Sequence, residues 1–192
     1  GAKKVMYSST SSGYGMNPSP NIETQPDDCL NPYSVSKIAG EKLCKMYTDL
    51  FDLPTVVFRY FNVYGERAPR KGQYAPVIGI FQRQNEAGES LTIVGDGEQR
   101  RDFVYVKDVA RAICYLMTST YTGHIDVGTG EAIGVKDLAE AFGYVDLPIK
   151  NHTPGERDVT CADTTALREL GWFPREKVLE CIPEGKPNSY FR

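Results

Sequence analysis

The sequence predicts an α/β fold in which helices cover a parallel sheet, and three observations carry this. Residues 4–8 and 55–59 are short runs dominated by apolar and β-branched side chains, the pattern of buried strands. Residues 33–51 place Val35, Ile38, Ala39, Leu43, Met46, Tyr47 and Leu50 at helical spacing. Strand-like and helix-like segments then alternate along the chain, with no internal repeat or low-complexity tract.

In chain order, residues 4–8 are expected to form a strand that ends in a hydroxyl-rich loop over 8–15. A polar stretch leads to Asn31-Pro32, and the helix follows from about 33 to 51. Residues 55–59 form a central strand. After Tyr64-Gly65 a long loop precedes a helix over 76–86 with proline in its first turn. Short strands at 91–94 and 102–106 flank the Gly95-Asp96-Gly97 turn. Asp108 is the expected N-cap of a helix ending at Met117. A strand at 125–127 and helices at 135–142 and 164–170 complete the reading, the last stopped by Gly171. The tail beyond Trp172 has three prolines and little periodicity, and is left unassigned.

Composition narrows the function. The 192 residues are 41% hydrophobic and 24% charged, which suits a folded chain rather than a disordered one. A net charge of -3 gives no electrostatic reason for nucleic acid or an anionic membrane as partner. No apolar run approaches the ~20 residues of a membrane span. Five cysteines, odd in number and without a C-x-x-C pair, point to a reduced, cytoplasmic protein. Two histidines, His124 and His152, are too few for a zinc cluster, and no metal is expected.

The strongest chemical signal is Tyr33-Ser34-Val35-Ser36-Lys37, preceded by Ser8, Ser9 and Thr10. Residues four apart share a helix face, so Tyr33 and Lys37 lie one turn from each other. A tyrosine, with an ordinary pKa of about 10, is a poor base until a nearby ammonium favours the phenolate. A loop hydroxyl bridging a substrate alcohol to that phenolate completes a device for removing a carbinol proton while hydride leaves the same carbon. Alone, Tyr-x-x-x-Lys is common on solvated helix faces. The hydroxyl cluster, Asn31-Pro32 and the following strand make it specific.

Together with residues 5–15, 31–37 and 59–67 (Arg-Tyr-Phe-Asn-Val-Tyr-Gly-Glu-Arg), segments 95–110 and 154–163 resemble five ordered motifs of the extended short-chain dehydrogenases/reductases that act on nucleotide sugars. The resemblance, nearest to UDP-glucose or UDP-N-acetylglucosamine 4-epimerases, spans residue 4 to about 175. It implies the C-terminal part of a Rossmann-like parallel sheet with helices, plus a small α/β substrate-binding lobe. Residues 1–70 would be the remnant of the Rossmann-like domain. Residues 71–192 would be mainly the lobe, with 102–130 returning to the sheet.

By the same resemblance, Tyr33 is the general base, Lys37 holds the nicotinamide ribose of NAD and lowers the tyrosine's pKa, and Thr10 is the catalytic hydroxyl. Ser8 and Ser9 line the same wall, and Tyr60 joins them at the cofactor. Phe61, Asn62, Gln73, Arg101, Glu156 and Thr160 would meet the UDP-sugar, Asn62 through its backbone N–H and Arg101 by its planar fork on the pyrophosphate. From their residue types alone, Gln73 and Glu156 read equally as surface-loop residues and Phe61 as core.

Two positions depart from the family's pattern. Thr153 stands where an arginine often contacts phosphate, with Arg157 or Arg100 as substitutes. Thr160 stands where a bulky aromatic would restrict space at the sugar's C2, which admits an N-acetyl group.

A dinucleotide-binding half requires a G-x-G-x-x-G turn after its first strand. None lies near residue 1, so the adenosine-binding part of the NAD site is expected outside these residues. The string 128–134 (Gly-Thr-Gly-Glu-Ala-Ile-Gly) has its last glycine one residue late and is expected to be structural. The implied function is NAD-dependent 4-epimerisation of a UDP-sugar, incomplete as an isolated chain. The alternatives are an inactive nucleotide-sugar-binding fragment and a dehydratase or decarboxylase. Ser11 and Ser12 after Thr10, in place of an Asp-Glu pair, count against dehydration. Helix 33–51 would pair subunits in a homodimer, or the chain would associate with a separate N-terminal half.

Overall fold

A computed structural model describes residues 1–72, 75–143, 149–150 and 157–182, with 149–150 described by backbone alone. The chain runs β1 (Val5–Thr10), α1 (Pro32–Phe51), β2 (Thr55–Tyr60), β3 (Asn62–Tyr64), α2 (Val77–Glu86), β4 (Ile93–Val94) and β5 (Arg100–Tyr105). It continues through α3 (Val106–Met117), β6 (Gly123–Val127), β7 (Ala132–Gly134), α4 (Val135–Ala141), β8 (Ile149–Lys150), β9 (Val159–Thr160) and α5 (Thr165–Glu169).

β1, β2 and β6 form a parallel sheet in that order, pairing Ser8 with Phe58, Thr10 with Tyr60 and Tyr60 with Val127. Strand alternation divides its side chains between two layers. Tyr7, Ser9 and Arg59 face α1, whereas Val56, Phe58, Ile125 and Val127 pack with Ala112 and Leu116 of α3 and with Leu167 and Trp172. Leu167 and Trp172 thus belong to the sheet's core. A second core gathers Tyr64, Ile78, Phe81, Phe103, Leu138 and Phe142 around β5. The second half of β5 pairs with β3, and its first half pairs with β7 and β9.

Helix α1 starts where the sequence specifies. Asn31 accepts from the Ser34 N–H at 2.9 Å, Ser34 Oγ reciprocates at 3.4 Å, and Pro32 occupies the first turn. Other boundaries differ from expectation. β1 runs on through Thr10, and the supposed loop is a 3-10 turn over Ser11–Tyr14 capped by Thr10. Asp108 lies inside the first turn of α3 and is no N-cap. Its carboxylate is held by Arg111 and by the backbone N–H groups of Arg175 and Glu176.

Candidate active site

The carboxyl ends of the parallel strands are where open α/β sheets bind ligands, and the predicted chemistry converges there. Lys37 Nζ donates to the Ser8 carbonyl at 2.9 Å and lies 5.5 Å from the centre of the Tyr7 ring. Tyr7 Oη donates back to the Lys37 carbonyl at 3.2 Å. The Ser8 and Tyr60 hydroxyls meet at 3.2 Å, uniting two of the expected cofactor residues. Tyr33, one turn before Lys37, keeps half of its surface exposed (50%). Among the described residues no hydrogen bond joins Tyr33 to Thr10. Thr10 Oγ1 caps the 3-10 turn, accepting from the Ser12 N–H at 3.1 Å.

Ser9 is the first correction. Because strand side chains alternate, it points away from the wall formed by Ser8 and Thr10, and its hydroxyl donates to Glu41. Glu41 is four residues beyond Lys37 and 2% exposed. It receives Arg59 Nη2 at 2.6 Å and Nε at 3.0 Å, and His124 Nε2 lies 3.0 Å away. Arg59, 3% exposed, also reaches Asp27 at 2.7 Å. Burial alone would raise the Glu41 carboxyl, but hydrogen bonds from His124, Arg59 and Ser9 hold it down to about 2. Sequence reasoning missed this network. Its signal was there: Glu41 continues the Tyr33–Lys37 stripe, and Arg59 is a lone charge in an apolar strand.

Beside this network Asp126 is fully buried, accepting from Tyr14 Oη at 2.8 Å. Burial pushes its carboxyl up to about 8.

The second part of the site is a cavity of about 380 Å³ whose walls include Asn62, Arg101, Gln99, Thr92, Val77 and Val135. Asn62 opens β3, and its Nδ2 donates to the Asp102 carbonyl at 3.0 Å and to Thr160 Oγ1 at 3.2 Å. Arg101 Nη1 donates to the carbonyls of Arg100 and Asp158 at 3.0 and 3.2 Å. Strand pairing sets Arg101 opposite Thr160, so Asn62, Arg101 and Thr160 converge. Phe61 is a further correction. It is buried in a small core against Tyr14, ring centroids 6.5 Å apart, so its side chain belongs to the packing. Gln73, Glu156 and Thr153 lie outside the described residues.

The Gly128–Gly134 string is a structural turn. The Asp102 carboxylate, fully buried, accepts from Thr129 N at 2.8 Å, Thr129 Oγ1 at 2.7 Å, Gly130 N at 3.0 Å and Ala162 N at 3.1 Å. The N–H groups that a phosphate-binding loop would offer at Thr129 and Gly130 are thereby occupied.

A parallel sheet with a Tyr–Lys helix against its first strand, beside an Asn–Arg cavity, defines the class. The model of the NAD dependent epimerase/dehydratase family matches residues 1–128, and the chain belongs to that family. It is 36% identical over 202 residues to a UDP-glucose 4-epimerase of Mycolicibacterium smegmatis, covering 100% of this chain and 63% of that protein. The UDP-N-acetylglucosamine 4-epimerase of Methanobrevibacter ruminantium, solved with UDP-N-acetylmuramic acid, superposes with a TM-score of 0.90 at 35% identity, covering 95% of this chain and 61% of that one. The UDP-glucose 4-epimerase of Thermotoga maritima, solved with UDP-glucose, gives 0.88 at 34% identity over 94% and 61% of the two chains. The chain thus spans less than two thirds of the length of the relatives it matches.

Proposed function

We propose that this chain carries the catalytic and sugar-nucleotide part of a UDP-sugar 4-epimerase acting on UDP-glucose and UDP-galactose or their N-acetylated equivalents. One observation carries the reading. Asn62 and Arg101 line a single cavity beside the carboxyl ends of the strands where Lys37, Ser8 and Tyr60 meet. A guanidinium and an amide in one cavity suit a diphosphate and its sugar or base. The names of the relatives point the same way.

Lys37 and the Ser8–Tyr60 pair fit the nicotinamide end of NAD, because they sit where dinucleotides bind in such sheets. NAD, when bound, supplies reversible hydride acceptance. The chain's own residues manage the proton and the orientation. Tyr33, open to solvent, takes the proton of the sugar's C4 hydroxyl and later returns it, helped by the Lys37 ammonium one turn away. Thr10 bridges that hydroxyl to Tyr33. Arg101 and Asn62 hold the nucleotide end while the sugar presents either face. Thr160, small and tied to Asn62, leaves room for an N-acetyl group. Gln73 and Glu156 remain part of the proposed substrate contacts.

On α1, Leu43, Met46, Tyr47, Leu50 and Phe51 form an exposed apolar row at helical spacing, which suits pairing with a second copy. Leu50→Lys with Phe51→Glu should then halve the mass measured by light scattering, and an unchanged mass rules the pairing out. No helix among the described residues is long and apolar enough to cross a membrane. Five free cysteines suit the cytoplasm.

The test supplies NAD and UDP-glucose or UDP-N-acetylglucosamine to the purified protein and follows the 4-epimer by chromatography. Tyr33→Phe should abolish turnover while leaving UDP affinity nearly intact. Binding of the UDP-sugar without turnover makes the chain a binding module, and absence of both overturns the reading.

A further inference from the structure

A lysine makes a fixed charge only when something confines it, because its flexible four-carbon stem spreads the ammonium over many rotamers. In this chain the confinement comes from two consecutive residues of β1. Lys37 Nζ donates to the Ser8 carbonyl at 2.9 Å and lies 5.5 Å from the centre of the Tyr7 ring, within reach of a cation–π contact. The same tyrosine also holds the lysine's backbone, since Tyr7 Oη donates to the Lys37 carbonyl at 3.2 Å. Ring and helix are therefore locked together through the residue whose ammonium the ring confines.

The helix is shaped to receive that ring. Gly40 sits against it, and a Cβ there would lie 2.1 Å from Tyr7 Oη and 2.4 Å from its Cζ. Glycine inside a helix costs stability relative to alanine, so this position gives up helix propensity for the close approach. The Tyr7 hydroxyl also stays a donor. Burial, and after it the proximity of Cys44, Glu41 and Tyr33, push its phenol up. Tyr7 is thus no rival base: it is half-buried with its proton committed to a carbonyl, whereas Tyr33 keeps half of its surface open.

We propose that Tyr7 is a positioning residue of this site, whose ring face and hydroxyl hold the Lys37 ammonium beside Ser8 of β1, one helical turn from Tyr33. The inference rests on the epimerase reading above and deepens it, because Tyr7 acts only through Lys37. The Ser8 carbonyl takes one of the three ammonium donors, and the ring face attracts the charge without demanding a second. Two donors are thus left for the ribose hydroxyls at the nicotinamide end of NAD. The ring meets the ammonium and the hydroxyl only orients the ring, so the ring carries most of the effect.

Nuclear magnetic resonance of the chain with carbon-13 at the lysine ε positions, Lys37 being assigned by Lys37→Arg, reads the place of the ammonium without any ligand. The Lys37 ε protons should resonate upfield of those of the exposed Lys42 and Lys45, through the ring current of Tyr7. Tyr7→Leu should return them to the position of those two lysines. With NAD supplied, it should also cut kcat on UDP-glucose about tenfold or more while KM changes little. Tyr7→Phe keeps the ring, and should keep the upfield signal and a kcat within about threefold of wild type. Should Tyr7→Leu not fold, Gly40→Ala takes its place, because it drives the ring off the helix while leaving it in the chain, with the same losses expected. A Lys37 signal unmoved in the folded variant overturns the inference, as does a lower melting temperature with kcat unchanged, which marks packing alone. Equal losses in the Phe and Leu variants overturn the role of the ring. Wild-type protein without turnover counts against the epimerase reading alone, and the Lys37 signal then decides the role of Tyr7.

Discussion

Replacing Asp102 by asparagine probes the knot that joins β5, the 128–130 turn and β9 with almost no change in shape. The carboxylate takes two donors on each oxygen: Thr129 N and Oγ1 on Oδ1, Gly130 N and Ala162 N on Oδ2. An asparagine can keep one pair with its carbonyl, but its amide nitrogen then confronts the other pair, either the N–H groups of Gly130 and Ala162 or the N–H and hydroxyl of Thr129. Each buried donor left unmet costs about 1–3 kcal/mol. Burial already pushes the Asp102 carboxyl up against the pull of its four donors, so the neutral amide recovers part of that loss. The net expectation is a destabilisation of about 2–4 kcal/mol, roughly 5–15 °C in Tm for a chain of this size. Asp102→Ala strands three backbone donors and should cost about 3–6 kcal/mol, a large fraction of an ordinary domain's stability. Urea titration followed by circular dichroism measures both. An Asn variant within about 0.5 kcal/mol of wild type would refute the claim that this carboxylate organises the turn.

Asp126, with its carboxyl near 8, keeps its proton in the folded chain long after the unfolded chain has lost it near 3.8. Its contribution is full below about pH 4 and is lost as pH rises from there through 8, so Asp126→Asn should raise the melting temperature far more at pH 8.5 than at pH 4. Equal shifts at both values would contradict this. Glu41, held at about 2 against an ordinary 4.5, acts oppositely, and its share of stability is lost as pH falls from about 4.5 to 2. Glu41→Gln leaves the buried Arg59 with only the partly exposed Asp27 as its charge partner and should cost about 3–5 kcal/mol in urea, with a flatter acid limb. A methyl on Gly40 would overlap the Tyr7 ring and hydroxyl. Gly40→Ala should therefore destabilise by about 1–3 kcal/mol despite alanine's helix propensity, and Tyr7→Val should rescue it; additive effects would refute the contact.

Helix α1 was legible because its apolar spacing and its Asn31-Pro32 start act within a few residues of chain. The pairing of Lys37 with the hydroxyl strand was also legible, since both motifs are local. From the sequence β1 ends too early because Ser8, Ser9 and Thr10 look like loop, although a sheet satisfies their backbone whatever their side chains. β7 and β9, three and two residues long, are too short to show any period. Phe61 carries no sign of which way it turns between β2 and β3, and only packing on Tyr14 decides it. The Glu41–Arg59 pair needed the fold itself, because its partners are 18 residues apart and meet across a helix and a strand.

Lys37 and Glu41 also have a consequence for how this protein can change over time. One turn of α1 is anchored to two successive residues of β1, Ser8 by its carbonyl and Ser9 by its hydroxyl. A single inserted or deleted residue in β1 would break both fastenings together and rotate Thr10 to the opposite face of the sheet. Substitutions can be absorbed one at a time here, but changes of length cannot. Variation in length should therefore accumulate in the 15–30 segment and beyond β2, leaving the strand and the helix to be inherited as one indivisible gauge.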